Sequence, residues 1–273
     1  MTNRQSLYEM MKRKASCLCV GLDPDPDRIP AHLGTGVEAM EVFCHGIVQA
    51  THRHAAAFKP NLAFFEQYGA AGWAALERIV AAMPEDVLVI ADAKRGDIGN
   101  TAKRYAKAMF EGLGAHAITV APYMGEDSVA PFMDGYADRW TIVLALTSNA
   151  GADDFEFHGT PPLYERVVER CQTWGSPDEL MFVVGATRPE QLRAIRSLAP
   201  DHFFLVPGVG AQGGCIEDVM EAGWIEGAGG LLINASRSIL YASDGEDYAA
   251  AAAAEAQKLQ EATAPYFTRT ASA

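Results

Sequence analysis

Cysteine is sparse in this 273-residue chain and is not arranged for metal chemistry. The five residues, Cys17, Cys19, Cys44, Cys171 and Cys215, form no CxxC pair and no Cys/His cluster at zinc spacing, so no metal site is expected. The histidines are scattered too, and the closest two, His52 and His54, sit in a polar stretch near a helix end. This pattern reads as reduced thiols in a cytoplasmic protein. No stretch is long and apolar enough to span a membrane. Residues 1–16 are polar and basic, without the apolar core of a signal peptide. Positive charge is also in short supply: 22 Lys and Arg against 35 Asp and Glu leave a net charge of −13. Such a surface has no bulk attraction for nucleic acid or an anionic membrane, so an anionic ligand has to be held by a few placed cations and backbone N–H groups. No low-complexity block, short-period repeat or internal boundary divides the chain. No glycine-rich fingerprint follows the first apolar run, where an open dinucleotide-binding sheet would carry one.

What is present is a regular alternation. Short apolar runs occupy residues 17–23, 56–61, 87–94, 117–123, 141–148, 181–187, 203–208 and 231–236. Each is about a strand long and rich in Val, Ile, Leu or Phe, as suits parallel strands buried on both faces. Between them lie stretches with helical spacing, notably 37–54 and 62–83, the second interrupted by glycines. Thr187-Arg188-Pro189-Glu190 predicts a helix start with Thr187 as N-cap. Ser243-Asp244 predicts the cap of a final Ala-rich helix running to about Glu261, and the tail after about 265 is expected to fray. Eight strands alternating with helices predict an α/β fold, a (β/α)8 TIM barrel forming a single domain over residues 1–273. A doubly wound open sheet is the structural alternative. Residues 24–36 and 149–162 read as insertions on the loop face and as candidate lids.

Charge enters where the apolar runs end. In Val89-Ile90-Ala91-Asp92-Ala93-Lys94-Arg95-Gly96-Asp97, three apolar residues lead into Asp92 and Lys94. Two-residue alternation puts both on one strand face, and Asp97 lies just beyond. Charges in that position are costly unless they pair. An ion pair that merely fixes a loop is the plain reading of an isolated D-x-K-x-x-D. Here, however, Asp23 ends the first run and Lys59 the second, so three successive strands direct charge toward one site.

The seventh run ends in Pro207-Gly208-Val209-Gly210-Ala211-Gln212-Gly213-Gly214. Gly208 and Gly210 permit close backbone approach and expose N–H donors, and 215–223 reads as a helix whose N-terminus adds its dipole. The eighth run ends beside Arg237, whose guanidinium can grip a phosphate bidentately. Loops after strands seven and eight are the usual phosphate site of a (β/α)8 barrel. The plain reading is a structural turn with a surface arginine.

Together these blocks resemble the orotidine 5′-phosphate decarboxylase family, in particular its longer bacterial subgroup. The similarity covers Gly21-Leu22-Asp23, Phe58-Lys59-Pro60-Asn61, residues 92–101, residues 121–125, Thr147-Ser148-Asn149, residues 207–214 and Arg237-Ser238. Ala150 is a departure, since relatives often carry proline there. The resemblance implies decarboxylation of orotidine 5′-phosphate (OMP) to UMP without metal or organic cofactor. It implies that Lys94 donates a proton to C6, that Asp92 lies beside the substrate carboxylate, and that Lys59 links it to the ribose side. Asp23 would bind a ribose hydroxyl, Ser148 the pyrimidine edge, and Gln212 and Arg237 the phosphate. Asp97 and Thr101 would reach into a partner's site, which implies a homodimer. Two other functions fit the pattern less well. A metal-dependent sugar-phosphate enzyme similar to hexulose-phosphate synthase would place glutamate where Lys59 stands. A non-catalytic phosphate binder would have no use for a carboxylate that repels an anionic ligand.

Overall fold

Continuous apolar runs bury both faces of every strand at the barrel wall, and the sheet closes on itself. The computed structural model describes residues 3–209 and 214–268. The strands are β1 (Leu18–Leu22), β2 (Ala57–Pro60), β3 (Leu88–Arg95), β4 (Ala117–Val120), β5 (Trp140–Leu146), β6 (Leu180–Val184), β7 (Phe203–Pro207) and β8 (Leu231–Ala235). All pairings are parallel and sequential, and β8 pairs back onto β1 through Leu18↔Ile233, Cys19↔Asn234 and Val20↔Ala235. The expected (β/α)8 barrel is therefore the observed one, and the open-sheet alternative falls. Phe58, Phe182, Phe204 and Trp140 are among the largest fully buried side chains. No described helix is long and apolar enough to cross a membrane.

The helices pack on the barrel through narrow apolar stripes. Helix Gly36–Thr51 buries Met40, Phe43, Cys44, Ile47 and Val48, spaced three and four apart as one helix face requires. The expected 62–83 helix is two, Leu62–Glu66 and Gly69–Ala81. The chain turns at Gly69, φ +59°, and a Cβ on Gly72 would come within 2.0 Å of the Phe65 carbonyl oxygen. Thr187 is not an N-cap: Arg188 takes that position, with Pro189 opening helix Pro189–Leu198. The last helix starts later than expected, at Tyr248, and runs to Thr263. Ser243 donates instead to the Asp247 carboxylate, 2.5 Å away, at the true N-cap. Residues 266 and 267 stay packed, since Tyr266 and Phe267 are buried and Phe267 meets Trp224 edge-on at 4.8 Å, while the rest of the tail expected to fray, residues 269–273, lies outside the described residues.

The polar N-terminal segment conceals a helix, Arg4–Lys14, which composition alone did not predict. Asn3 caps it reciprocally with Ser6, and Lys12, Arg13 and Lys14 complement the dipole in its last turn. It buries Leu7, Tyr8, Met10 and Met11, and Arg4 reaches Asp178 and Asp201 before β6 and β7. It thus covers the N-terminal end of the barrel and leaves the C-terminal mouth open. There, segment 149–162 carries a short helix, Ala152–Phe155, held by an Asp153–Arg188 ion pair of 2.8 Å. Arg188 also lies over the Phe157 ring, 4.2 Å from its centroid.

Candidate active site

The charged centre is made by an irregularity in β3. Ala91 pairs with Ile118, but the next paired residue, Arg95, faces Val120, so β3 holds extra residues against β4. Lys94 absorbs the shift with φ +47°, a left-handed conformation that costs a non-glycine residue free energy. The displaced N–H groups of Ala93 and Lys94 donate to Thr119 Oγ1 at 3.0 and 2.9 Å, and that hydroxyl donates to Asp92 Oδ1 at 3.1 Å. Thr119, buried on β4, thereby uses its one donor and both acceptor positions. Asp92 and Lys94 do converge as expected, but through this kink rather than through regular alternation.

Asp92 is the hub. Its Oδ1 accepts from Lys94 Nζ at 2.5 Å and its Oδ2 from Lys59 Nζ at 2.6 Å. Burial pushes the Asp92 carboxyl up, but the two ammonium groups outweigh burial and hold it at about 2. Burial likewise pulls the Lys59 ammonium down, and the carboxylates of Asp92 and Asp23 overcome it and raise the group above the ordinary lysine value. The lysines differ in exposure: the Lys59 side chain is 6% exposed and that of Lys94 52%. One is a buried counter-ion, and the other is presented to whatever enters the mouth.

Two compartments meet at this hub, and both are lined by Lys59, Asp92 and Pro207. The polar one, about 170 Å³, adds Asp23, Asn61, Gly208, Asn234, Ser236 and Arg237. Arg237 is exposed, and no hydrogen bond or ion pair engages its guanidinium among the described residues. Gly208 takes φ +98°, beyond easy reach of other residues. The other compartment, about 270 Å³, adds Lys94, Ser148 and an apolar wall of Leu144, Val183 and Leu205. The loop bearing Ser148 is fixed by Glu156, whose carboxylate accepts from the Thr147 N–H and hydroxyl, both at 2.7 Å. A larger cleft of about 550 Å³ between Arg28 and Asp244 lies outside this convergence of charge.

Asp97 and Thr101 are not drawn into either compartment. Asp97 Oδ1 accepts from the Ile98 N–H at 2.8 Å, and Thr101 is exposed on helix Gly99–Lys107. Gly210 and Gln212 lie outside the described residues. Sequence reasoning missed Thr119, Ser236 and the apolar wall. Thr119 was signalled only as a polar residue inside an apolar run, and the wall looks like any strand interior. Among the described residues no three His, Cys, Asp or Glu side chains gather as a metal-binding group.

A closed parallel barrel that gathers Asp23, Lys59, Asp92, Lys94 and Arg237 at the C-terminal ends of its strands has the architecture of a (β/α)8-barrel enzyme. The chain belongs to the orotidine 5′-phosphate decarboxylase / HUMPS family, whose model matches residues 16–253. It is 49% identical over 261 residues to a protein of Christiangramia forsetii named orotidine 5′-phosphate decarboxylase, covering 94% of this chain and 95% of the relative. A Bacteroides fragilis protein of the same name is 48% identical over 265 residues, covering 95% of this chain and 96% of the relative. Among solved structures, the OMP decarboxylase of Leishmania donovani superposes with a TM-score of 0.81 at 40% identity, covering 95% of this chain and 99% of that one. The family resemblance read from the motifs is correct.

Proposed function

We propose that this chain decarboxylates OMP to UMP and carbon dioxide, a step of pyrimidine biosynthesis, with Lys94 as the proton donor to C6. One observation carries the reading: a half-exposed ammonium is anchored on a buried carboxylate at the junction of an apolar and a cationic compartment. The pyrimidine lies against Leu144, Val183 and Leu205 with Ser148 at its edge, the ribose passes Asp23 and Lys59, and the phosphate meets Arg237, Gly208 and the 210–213 segment with Gly210 and Gln212. The bond from C6 to the carboxylate breaks with its electron pair left on C6, carbon dioxide departs, and a Lys94 N–H proton moves to C6. Solvent reprotonates the exposed lysine.

The residues supply electrostatics rather than covalent chemistry. Asp92, ionised at neutral pH, repels the substrate carboxylate until carbon dioxide leaves. The Lys94 ammonium favours the carbanion, and a fixed site makes that attraction larger than water would. Phosphate contacts far from C6 contribute binding energy that positions the reacting centre. Asp97, half-buried, and Thr101, exposed, are the residues offered to a second copy's site, so the working form is a homodimer, in the cytoplasm. Lys59 favours this reading over the metal-dependent sugar-phosphate one, because an ammonium opposes a divalent cation at the strand-two position. The test is purified protein mixed with OMP while the pyrimidine absorbance is followed before and after exhaustive EDTA treatment. Turnover that survives EDTA is expected. Tight UMP binding without turnover would refute catalysis, and activity lost to EDTA and restored by Mg²⁺ would refute the mechanism.

A further inference from the structure

Asp23, half-buried where the chain leaves β1, holds its carboxylate in an unusual way. Its Oδ2 accepts a hydrogen bond from Ser236 Oγ, on the residue that follows β8. Its Oδ1 is buried and has no hydrogen-bond partner among the described residues, although Asp23 lines the polar compartment. The Ser236 hydroxyl also lies 3.1 Å from the Gly21 carbonyl, but it has one proton, and the ionised carboxylate is the stronger acceptor. Glycine at 21 makes this approach possible, since a Cβ there would come 2.6 Å from Ser236 Oγ. The backbone beside the carboxylate is fixed as well. Tyr241 Oη donates to the Asp23 carbonyl at 2.7 Å and accepts from the Asp25 N–H at 2.6 Å. The Arg28 guanidinium covers the Tyr241 ring, 3.8 Å from its centroid.

We infer that Ser236 is a positioning residue: it engages one oxygen of Asp23 so that the other is presented, unpaired, to a ribose hydroxyl. Ser236 precedes Arg237 directly, so the same turn sets the ribose acceptor and the phosphate cation. The inference rests on the proposed nucleotide site. A buried acceptor without a partner is costly, and a ligand hydroxyl that satisfies it recovers that cost.

The test is a cycle built on Ser236→Ala, with thermal melting to confirm folding and both OMP kinetics and UMP affinity as readouts. Ser236→Ala is expected to raise KM for OMP, and the Kd for UMP, about tenfold with kcat within about twofold, because a ribose contact is made in ground and transition states alike. The penalty should shrink below about twofold on whichever 2′- or 3′-deoxy analogue lacks the hydroxyl that Asp23 holds. It should vanish equally in an Asp23→Ala background. Tyr241→Phe, which frees the backbone rather than the carboxylate, should show the same analogue dependence. A penalty that persists unchanged on both analogues and in Asp23→Ala, or no penalty at all, would overturn the assignment. Protein that binds UMP but does not turn over OMP would defeat the functional reading while the affinity cycle still decides the role of Ser236. Wild-type protein that binds neither would defeat both.

Discussion

Replacing Lys94 with alanine separates chemistry from stability in a way this geometry makes quantitative. The Lys94 ammonium, half exposed, pairs with Asp92 at 2.5 Å, and Asp92 keeps Lys59 at 2.6 Å and the Thr119 hydroxyl at 3.1 Å when Lys94 is gone. The carboxylate therefore stays ionised and paired, and the loss of a half-exposed partner costs no more than about 1 kcal/mol of folding stability. Catalysis is another matter. A cation about 4 Å from a forming carbanion contributes on the order of 4 kcal/mol at an effective dielectric near 20, roughly a thousandfold in rate. Loss of the proton donor removes a further factor of roughly 100 or more. Turnover should fall by about 10⁵ or more, while UMP affinity stays within about tenfold because product contacts lie mainly at ribose and phosphate. Initial rates by pyrimidine absorbance, UMP titration calorimetry and a urea melt make the three measurements. A variant with turnover within about tenfold of wild type would refute the role of Lys94. Turnover, affinity and stability falling together would show that the lysine holds the mouth in shape instead.

Lys59→Met should behave in the opposite manner, because it leaves a carboxylate that is 8% exposed without its buried counter-ion; a loss of about 3 kcal/mol in urea unfolding is expected, and an unchanged midpoint would contradict the buried-pair account. The same pair predicts an acid limb. Asp92 sits at about 2 in the folded state, below its ordinary value of 3.8, so its contribution of about 2 kcal/mol is complete above 3.8 and is lost as pH falls from there through about 2; Asp92→Asn should flatten stability over that window. His202→Phe should raise stability by about 1–3 kcal/mol, since His202 is buried against Phe182 and neither ring nitrogen has a partner among the described residues. Burial, then the charges of Arg196 and Arg4, hold that imidazole at about 4, below its ordinary 6.5, so the unfolded chain binds the extra proton and wild-type stability falls as pH drops from 6.5 to 4; a His202→Phe variant with the same slope would contradict this.

The barrel was legible because parallel strands covered on both faces leave a signature that needs no partner information: an unbroken apolar run of strand length, repeated. All eight strands overlap the expected runs and start within one residue of them, although β5 ends two residues early and β4 and β6 three. The misplaced boundaries are those decided by contacts distant in sequence. Leu62–Glu66 and Gly69–Ala81 share one helical periodicity, and the left-handed turn at Gly69 and the packing of Gly72 against the Phe65 carbonyl separate them. Tyr266 and Phe267 looked like a loose end because their partners, Trp224 and Tyr8, are remote along the chain. The first helix was overlooked for a related reason: its polar face dominates the composition, and the four residues it buries only matter once the barrel end exists to receive them.

The site shows where pattern reasoning reaches its limit even when its conclusion holds. Period-two alternation puts Asp92 and Lys94 on one face, yet a regular strand would hold them as parallel neighbours rather than in direct contact. Contact at 2.5 Å comes from the left-handed Lys94 and the slipped β3–β4 register, and that backbone persists because Thr119 satisfies the two N–H groups the slip displaces. The charged pair and the threonine thus stabilise each other: without the hydroxyl the kink would leave two donors unpaired, and without the kink the ammonium would turn away from the carboxylate. Nothing in the letters 92–97 contains that dependence, since the residue that enforces it lies on the next strand. It follows that Thr119→Val, nearly isosteric and far less disruptive by composition than any charge reversal, should lower kcat as well as stability. Thr119→Ser, which keeps the hydroxyl, should restore most of kcat in OMP turnover assays; equal activity of the valine and serine variants would show that the kink is held by something else.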